Sequence, residues 1–217
     1  LDDEEILKKL IKLSKPKINE DAIFIWPEGV IPNLNLNSLK DKYELLLKKS
    51  FSKKHYIILG INDEEIADGK QKIYNSLSII DREANVLHKY YKNKLVPFGE
   101  FLPLENVLSK IGLKSLTNNY QSYTPDTNRT LFDFGKNNKI KILPLICYEI
   151  IYSGNLSKDN DYNFIVNISE DGWFGESIGP YQHFAHSIFR SVEYGKYTLR
   201  SSNNGISAII DPSGSII

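Results

Sequence analysis

The chain has 217 residues, long enough to bury a real core and suited to one domain. Its 27 basic and 27 acidic residues cancel, which excludes an overall field that would recruit nucleic acid or an anionic membrane. One cysteine excludes an internal disulfide, and no apolar run approaches the roughly 20 residues of a transmembrane helix. No signal peptide is visible, no methionine is present, and the chain starts at Leu1 and stops at Ile217 as a further strand opens. It reads as a piece of something longer.

Leu1 to Leu13 is expected to be a helix: Asp2, Asp3, Glu4 and Glu5 complement its dipole, and Ile6, Leu7, Leu10 and Ile11 form an apolar stripe. Ala22 to Trp26 reads as a short apolar strand, closed by Pro27-Glu28-Gly29. Ser38 with Asp41 resembles a capping box for a helix to about Lys49. Tyr56 to Ile61 is a second strand, Asp63 to Lys70 a charged hairpin or loop, and Ile73 to Ile80 a returning strand. His88 to Lys94 is basic and aromatic, and Val96 to Glu100 breaks regular structure. Leu104, Val107, Leu108 and Ile111 mark a short amphipathic helix, followed by a polar loop from Thr117 to Asn128.

Two further strands are expected at Ile140 to Ile146 and Asn163 to Ile168. A Gly- and aromatic-rich loop, Ser169 to Pro180, leads into a helix from Tyr181 to Tyr194 that stops at Gly195. Thr198 to Ser201 and Ile206 to Ile210 read as strands joined through Asn203-Asn204-Gly205, with a turn at Asp211 to Gly214. Apolar strands mixed with amphipathic helices imply a layered α/β sandwich.

Three groups sit at abrupt breaks after apolar or aromatic segments: Glu28, Lys92 and Cys147. A thiol with a reference pKa of about 8.5 needs a base or a positive neighbour to attack at neutral pH. A glutamate can take the proton, and a lysine can stabilise both the thiolate and the oxyanion formed on a carbonyl. Together they make an acyl-transfer set. Taken singly, each has a plainer reading: a buried small hydrophobe, a strand-end carboxylate, and a solvated charge in the run Lys89, Lys92, Lys94. His183 and His186 lie three apart on a helix without further His or Cys ligands nearby, which favours core or surface histidines over a metal site.

The surrounding motifs are more specific. Trp26-Pro27-Glu28, then Lys92 to Glu100 (KNKLVPFGE), then Ile146-Cys147-Tyr148-Glu149 resemble, in this order, the nitrilase or carbon–nitrogen hydrolase superfamily. Within it, the stretches from Leu95 to Pro103, Asn167 to Gly175, Ser177 to Phe184 and Leu199 to Gly205 resemble the apolipoprotein N-acyltransferase family. That resemblance implies a four-layer α-β-β-α sandwich, incomplete at both ends. Residues 1–217 would be a nitrilase-like domain without its first strand, its C-terminal end and the parent's transmembrane helices. Glu28 would be the general base, Lys92 the oxyanion-stabilising lysine and Cys147 the nucleophile. Glu100 falls on the superfamily's second glutamate, and Tyr148 and Glu149 on its cysteine-flanking positions.

The implied acyl donor is a phospholipid, the acceptor a diacylglyceryl-cysteine amine of a lipoprotein, and the setting the periplasmic side of a bacterial inner membrane. No metal, organic cofactor or nucleic acid is implied. An apolar arm over 101–116 could face lipid. The same triad with water as acceptor gives the competing amidase reading, and an inactive gene fragment gives the non-enzymatic one.

Overall fold

Polar caps and apolar stripes set the helices. The computed structural model describes residues 2–67, 69–101, 123–135, 139–154, 156–157 and 160–217. Helix α1 (Asp3–Ser14) starts where the Asp2 side chain accepts the Glu5 amide, and Trp26 Nε1 donates to Ser14 Oγ at its far end. Helix α2 (Leu36–Ser50) begins three residues before the expected box. Its cap is Asn35, whose side chain accepts the Ser38 amide, so Ser38 lies inside the first turn.

The first sheet has the order β1 (Ala22–Ile25), β2 (His55–Ala67), β3 (Lys70–Ile80), β4 (Val86–Tyr91), with β1 and β2 parallel and the rest antiparallel. Of the hairpin or loop expected from Asp63 to Lys70, the structure has the hairpin: Asp63 to Ala67 pairs residue for residue with Tyr74 to Lys70. Apolar periodicity fades there because the ribbon has left the core, yet the backbone ladder carries on. Asp63 stays buried there, held by Lys89 Nζ at 2.8 Å and the Tyr91 hydroxyl.

The second sheet has the order β5 (Phe132–Phe134), β6 (Ile140–Ile146), β7 (Phe164–Glu170), β8 (Tyr197–Asn203), β9 (Ala208–Ile210). Strands β6, β7 and β8 run parallel, with antiparallel edges. Strand β5 was not expected; three residues are too few to show a period. Helix α3 (Gly179–Tyr194) starts with Pro180 in its first turn and ends at Gly195 in the left-handed region.

Side-chain alternation sorts these elements into layers. One face of the first sheet packs Ile57, Leu59 and Ile61 on Leu7 of α1 and Leu39 and Leu47 of α2. Its other face, with Ile58, Leu77 and Ile79, meets Ile142, Ile146, Val166 and Ile168 of the second sheet. Leu143, Leu145 and Ile165 point outward, toward Tyr194 of α3. The result is two facing sheets flanked by helices, as expected. Among the described residues no helix is long and apolar enough to cross a membrane. The amphipathic helix expected at Leu104 to Ile111, the rest of the 101–116 arm beyond Phe101 and the first half of the polar loop after it lie outside the described residues.

Candidate active site

Strands β1, β4, β6 and β7 end at one edge of the sandwich, and each delivers a polar group there. The chain leaves β1 through Trp26 and Pro27 to Glu28, which lies against the β2 backbone. At Gly60 a Cβ atom would stand 2.5 Å from the Glu28 Cα, so only glycine permits this approach. Strand β4 ends one residue before Lys92, whose amide donates to the Asn75 carbonyl of β3 at 2.9 Å. Strand β6 ends at Ile146, and Cys147 opens a 3₁₀ turn (Cys147–Ile151) in the left-handed conformation, φ 48°. A non-glycine residue pays about 1–3 kcal/mol for such a backbone, a strain that recurs at functional sites.

The side chains converge. Lys92 is only 1% exposed, and its Nζ donates to Glu100 Oε1 at 2.8 Å and approaches Glu28 Oε1 at 3.4 Å. Asn75 Nδ2 donates to the same two oxygens, at 2.6 Å to Glu28 and 3.0 Å to Glu100. Glu28 Oε2 accepts the Glu170 amide from the opposite sheet at 2.9 Å, and Glu100 Oε2 accepts the Val96 amide at 2.8 Å. Each carboxylate is thus fixed at both oxygens. Lys89 and Lys94 are elsewhere: Lys89 pairs with Asp63 and Glu65, and Lys94 lies over the Tyr152 ring.

Glu28, Glu100 and Lys92 surround the thiol. Burial pushes the Cys147 thiol up to about 12, reinforced by Glu28 and opposed by Lys92 and Ser169. Burial alone would lower the Lys92 pKa, but Glu28, Cys147 and Glu100 outweigh it and hold the ammonium charged. The resting state is therefore a neutral thiol beside a lysine cation. Transfer of the thiol proton to Glu28 would leave the net charge of the cluster unchanged.

Glu149 plays a different part from these. It is fully buried and faces away from the cavity. Its Oε1 accepts the Asn93 and Lys94 amides (2.9 and 3.2 Å), the Tyr90 hydroxyl (2.7 Å) and Arg129 Nη2 (2.9 Å), while Oε2 accepts the Ile146 amide at 2.9 Å. It thereby ties the segment after Lys92 to the residue before Cys147. Tyr148 lines the cavity beside Cys147.

The cavity, about 200 Å³, is walled by Glu28, Lys92, Glu100, Cys147, Trp173 and Phe174, among others. The apolar part of its lining opens to solvent: Trp173 is 72% exposed and Phe174 is exposed as well, and Phe98, Ile178 and Tyr181 are exposed on nearby stretches of the sequence. The Phe174 ring packs against Gly179, where a Cβ would lie 2.5 Å from it. Sequence reasoning missed Asn75, which carries no motif and is a polar residue inside an apolar strand. It also left His183 as a core or surface residue; His183 is buried and bonded to the turn that bears Cys147. No group of three or more His, Cys, Asp or Glu residues suited to a metal ion occurs among the described residues.

The Carbon-nitrogen hydrolase family matches residues 1–217. The chain belongs to the carbon-nitrogen hydrolase family. It is 41% identical over 233 residues to an apolipoprotein N-acyltransferase of Wigglesworthia glossinidia brevipalpis, and 36% identical over 222 residues to one of Rickettsia typhi. Each alignment covers 100% of this chain but only 44% and 43% of the relative. This carbon-nitrogen hydrolase chain thus spans well under half the length of those curated relatives. Its fold resembles that of a glutamine-dependent NAD+ synthetase from Acinetobacter baumannii (TM-score 0.66, 18% identity, 99% of this chain and 40% of that one). It also resembles a branch 10 member of the nitrilase superfamily from Saccharomyces cerevisiae (TM-score 0.61, 18% identity, 98% and 76%).

Proposed function

We propose that this chain belongs to the catalytic domain of a membrane-bound apolipoprotein N-acyltransferase. The observation that carries the reading is one cavity holding a thiol, a lysine and two carboxylates behind an exposed apolar rim. Similarity over the whole of this chain to relatives of that name supports it.

In the first step Glu28 takes the Cys147 proton as Sγ attacks the ester carbonyl of a phospholipid. The carbonyl π electrons move onto oxygen, and the Lys92 ammonium, fixed by Glu100, stabilises that oxyanion. Collapse returns the electrons, breaks the ester C–O bond and leaves a Cys147 thioester; Glu28 returns its proton to the departing lysophospholipid oxygen. In the second step the α-amine of a diacylglyceryl-cysteine attacks the thioester. Glu28 removes the amine proton and passes it to the leaving thiolate, which restores the enzyme. Trp173 and Phe174 over a small cavity limit water, which would otherwise hydrolyse the thioester. The exposed Phe98, Trp173, Ile178 and Tyr181 suit a lipid surface, so that acyl chains reach the thiol without crossing water.

The amidase reading uses the same residues but gives no role to that rim. Supplying the intact parent with labelled phospholipid and a diacylglyceryl peptide separates the two readings. Label should move to the peptide amine. Label released only as free fatty acid would replace the acyltransferase reading with a hydrolase.

A further inference from the structure

Behind the thiol lies a second polar cluster that the acyl-transfer steps do not use. Ser169, Asp171, His183 and Arg200 come from the end of β7, the turn after it, α3 and β8, and all four are buried. Asp171 is the hub. Its Oδ1 accepts the Ser169 hydroxyl at 2.7 Å and contacts His183 Nδ1 at 2.8 Å, and its Oδ2 accepts Arg200 Nη2 at 2.8 Å. Burial would raise the Asp171 carboxyl, but His183, Arg200 and Ser169 hold it well below the usual carboxylate range. Arg200 is fixed in turn by the Asn167 side chain and the Ile206 carbonyl.

The cluster reaches the nucleophile through its backbone. His183 Nε2 lies 3.2 Å from the Cys147 carbonyl. A carbonyl only accepts, and so does a carboxylate oxygen, so the ring bonds to the Cys147 carbonyl and to Asp171 Oδ1 together when both of its nitrogens carry hydrogen. Arg200 Nη2, 3.2 Å from Nδ1, donates to Asp171 and holds that carboxylate against the ring. The Cys147 peptide is where the backbone is strained, at φ 48° between a strand and a 3₁₀ turn. Ile146 on one side is pinned by Glu149; on the other, the carbonyl bond to His183 fixes the peptide plane.

We infer that His183, oriented by Asp171 and Arg200, is a positioning residue that holds Cys147 in its left-handed conformation. This rests on Cys147 being the nucleophile, as proposed above, but not on the identity of the acyl acceptor. A displacement of about 1 Å at a reacting atom can cost roughly 100-fold in rate.

The test uses the intact parent protein and two readings: alkylation of Cys147 by iodoacetamide, and single-turnover thioester formation from labelled phospholipid. His183→Leu removes the donor; His183→Gln keeps an N–H near Nε2. We expect His183→Leu to slow both reactions at least tenfold with phospholipid KM unchanged, and His183→Gln to recover most of the loss. If His183→Leu does not fold, Asp171→Asn, which removes the charge that orients the ring, should give the same loss. Wild-type alkylation in His183→Leu or Asp171→Asn would overturn the inference. So would equal losses in His183→Leu and His183→Gln, which would mark a merely structural role. Normal alkylation in wild type with no thioester from phospholipid would instead count against the proposed reaction and leave the positioning role standing.

Discussion

Cys147 is a neutral thiol at rest, and the reason lies in the charges around it. Burial and Glu28 both oppose loss of its proton, and together they outweigh the help from Lys92 and Ser169. A folded pKa of about 12, above that of an ordinary thiol, means that the native state binds this proton more tightly than the unfolded chain does. The thiol's contribution to stability is therefore complete below pH 9 and is lost as pH rises toward 12. Reactivity follows the same sign. Alkylation of Cys147 should keep climbing through pH 9–10 without the plateau of an exposed thiol; a plateau below pH 8 would show a preformed thiolate. Glu28, Lys92 and Cys147 were legible because each closes a segment of changed character and sits in a long motif. Asn75 was not: its value comes from touching Glu28 and Glu100, which are far from it in sequence.

Elements place these residues by ending together, and Glu149 links two of them. It binds the backbone after β4 and before the nucleophile turn, so it acts on Lys92 and Cys147 without facing the cavity. Glu149→Gln would leave the mostly buried Arg129 without its counter-charge, a loss on the order of 3 kcal/mol. Urea unfolding should report that loss, and single-turnover thioester formation should fall about tenfold or more as Lys92 and Cys147 drift apart. A stable Glu149→Gln protein with normal acylation would contradict this linking role. Element boundaries were read less well than element identities. Asn35 displaced Ser38 as a cap because a cap must have extended backbone, and Asn35 does. The β2–β3 ribbon outran its apolar pattern because backbone pairing needs no buried face.

The whole molecule is two sheets sandwiched between helices, with the site at one edge and an apolar rim around it. The layers were foreseeable because each strand shows its two faces in sequence. The second polar cluster was not, since Asp171, His183 and Arg200 meet only when the turn after β7, α3 and β8 are packed together. The rim sets the use of the site at this scale. Replacing Trp173 and Ile178 by Ser should lower turnover of phospholipid in vesicles severalfold and leave iodoacetamide alkylation of Cys147 unchanged. Equal loss of both would place those residues in the chemistry and not in lipid access.

The central claim is that Cys147 carries the acyl group. The most direct measurement incubates the intact parent with labelled phospholipid, traps the protein, and locates the label by peptide mass spectrometry before and after hydroxylamine. The account predicts an acyl mass on the peptide containing Cys147 that hydroxylamine removes and that is absent from Cys147→Ala. Label on another residue, or an adduct that persists in Cys147→Ala, would contradict it.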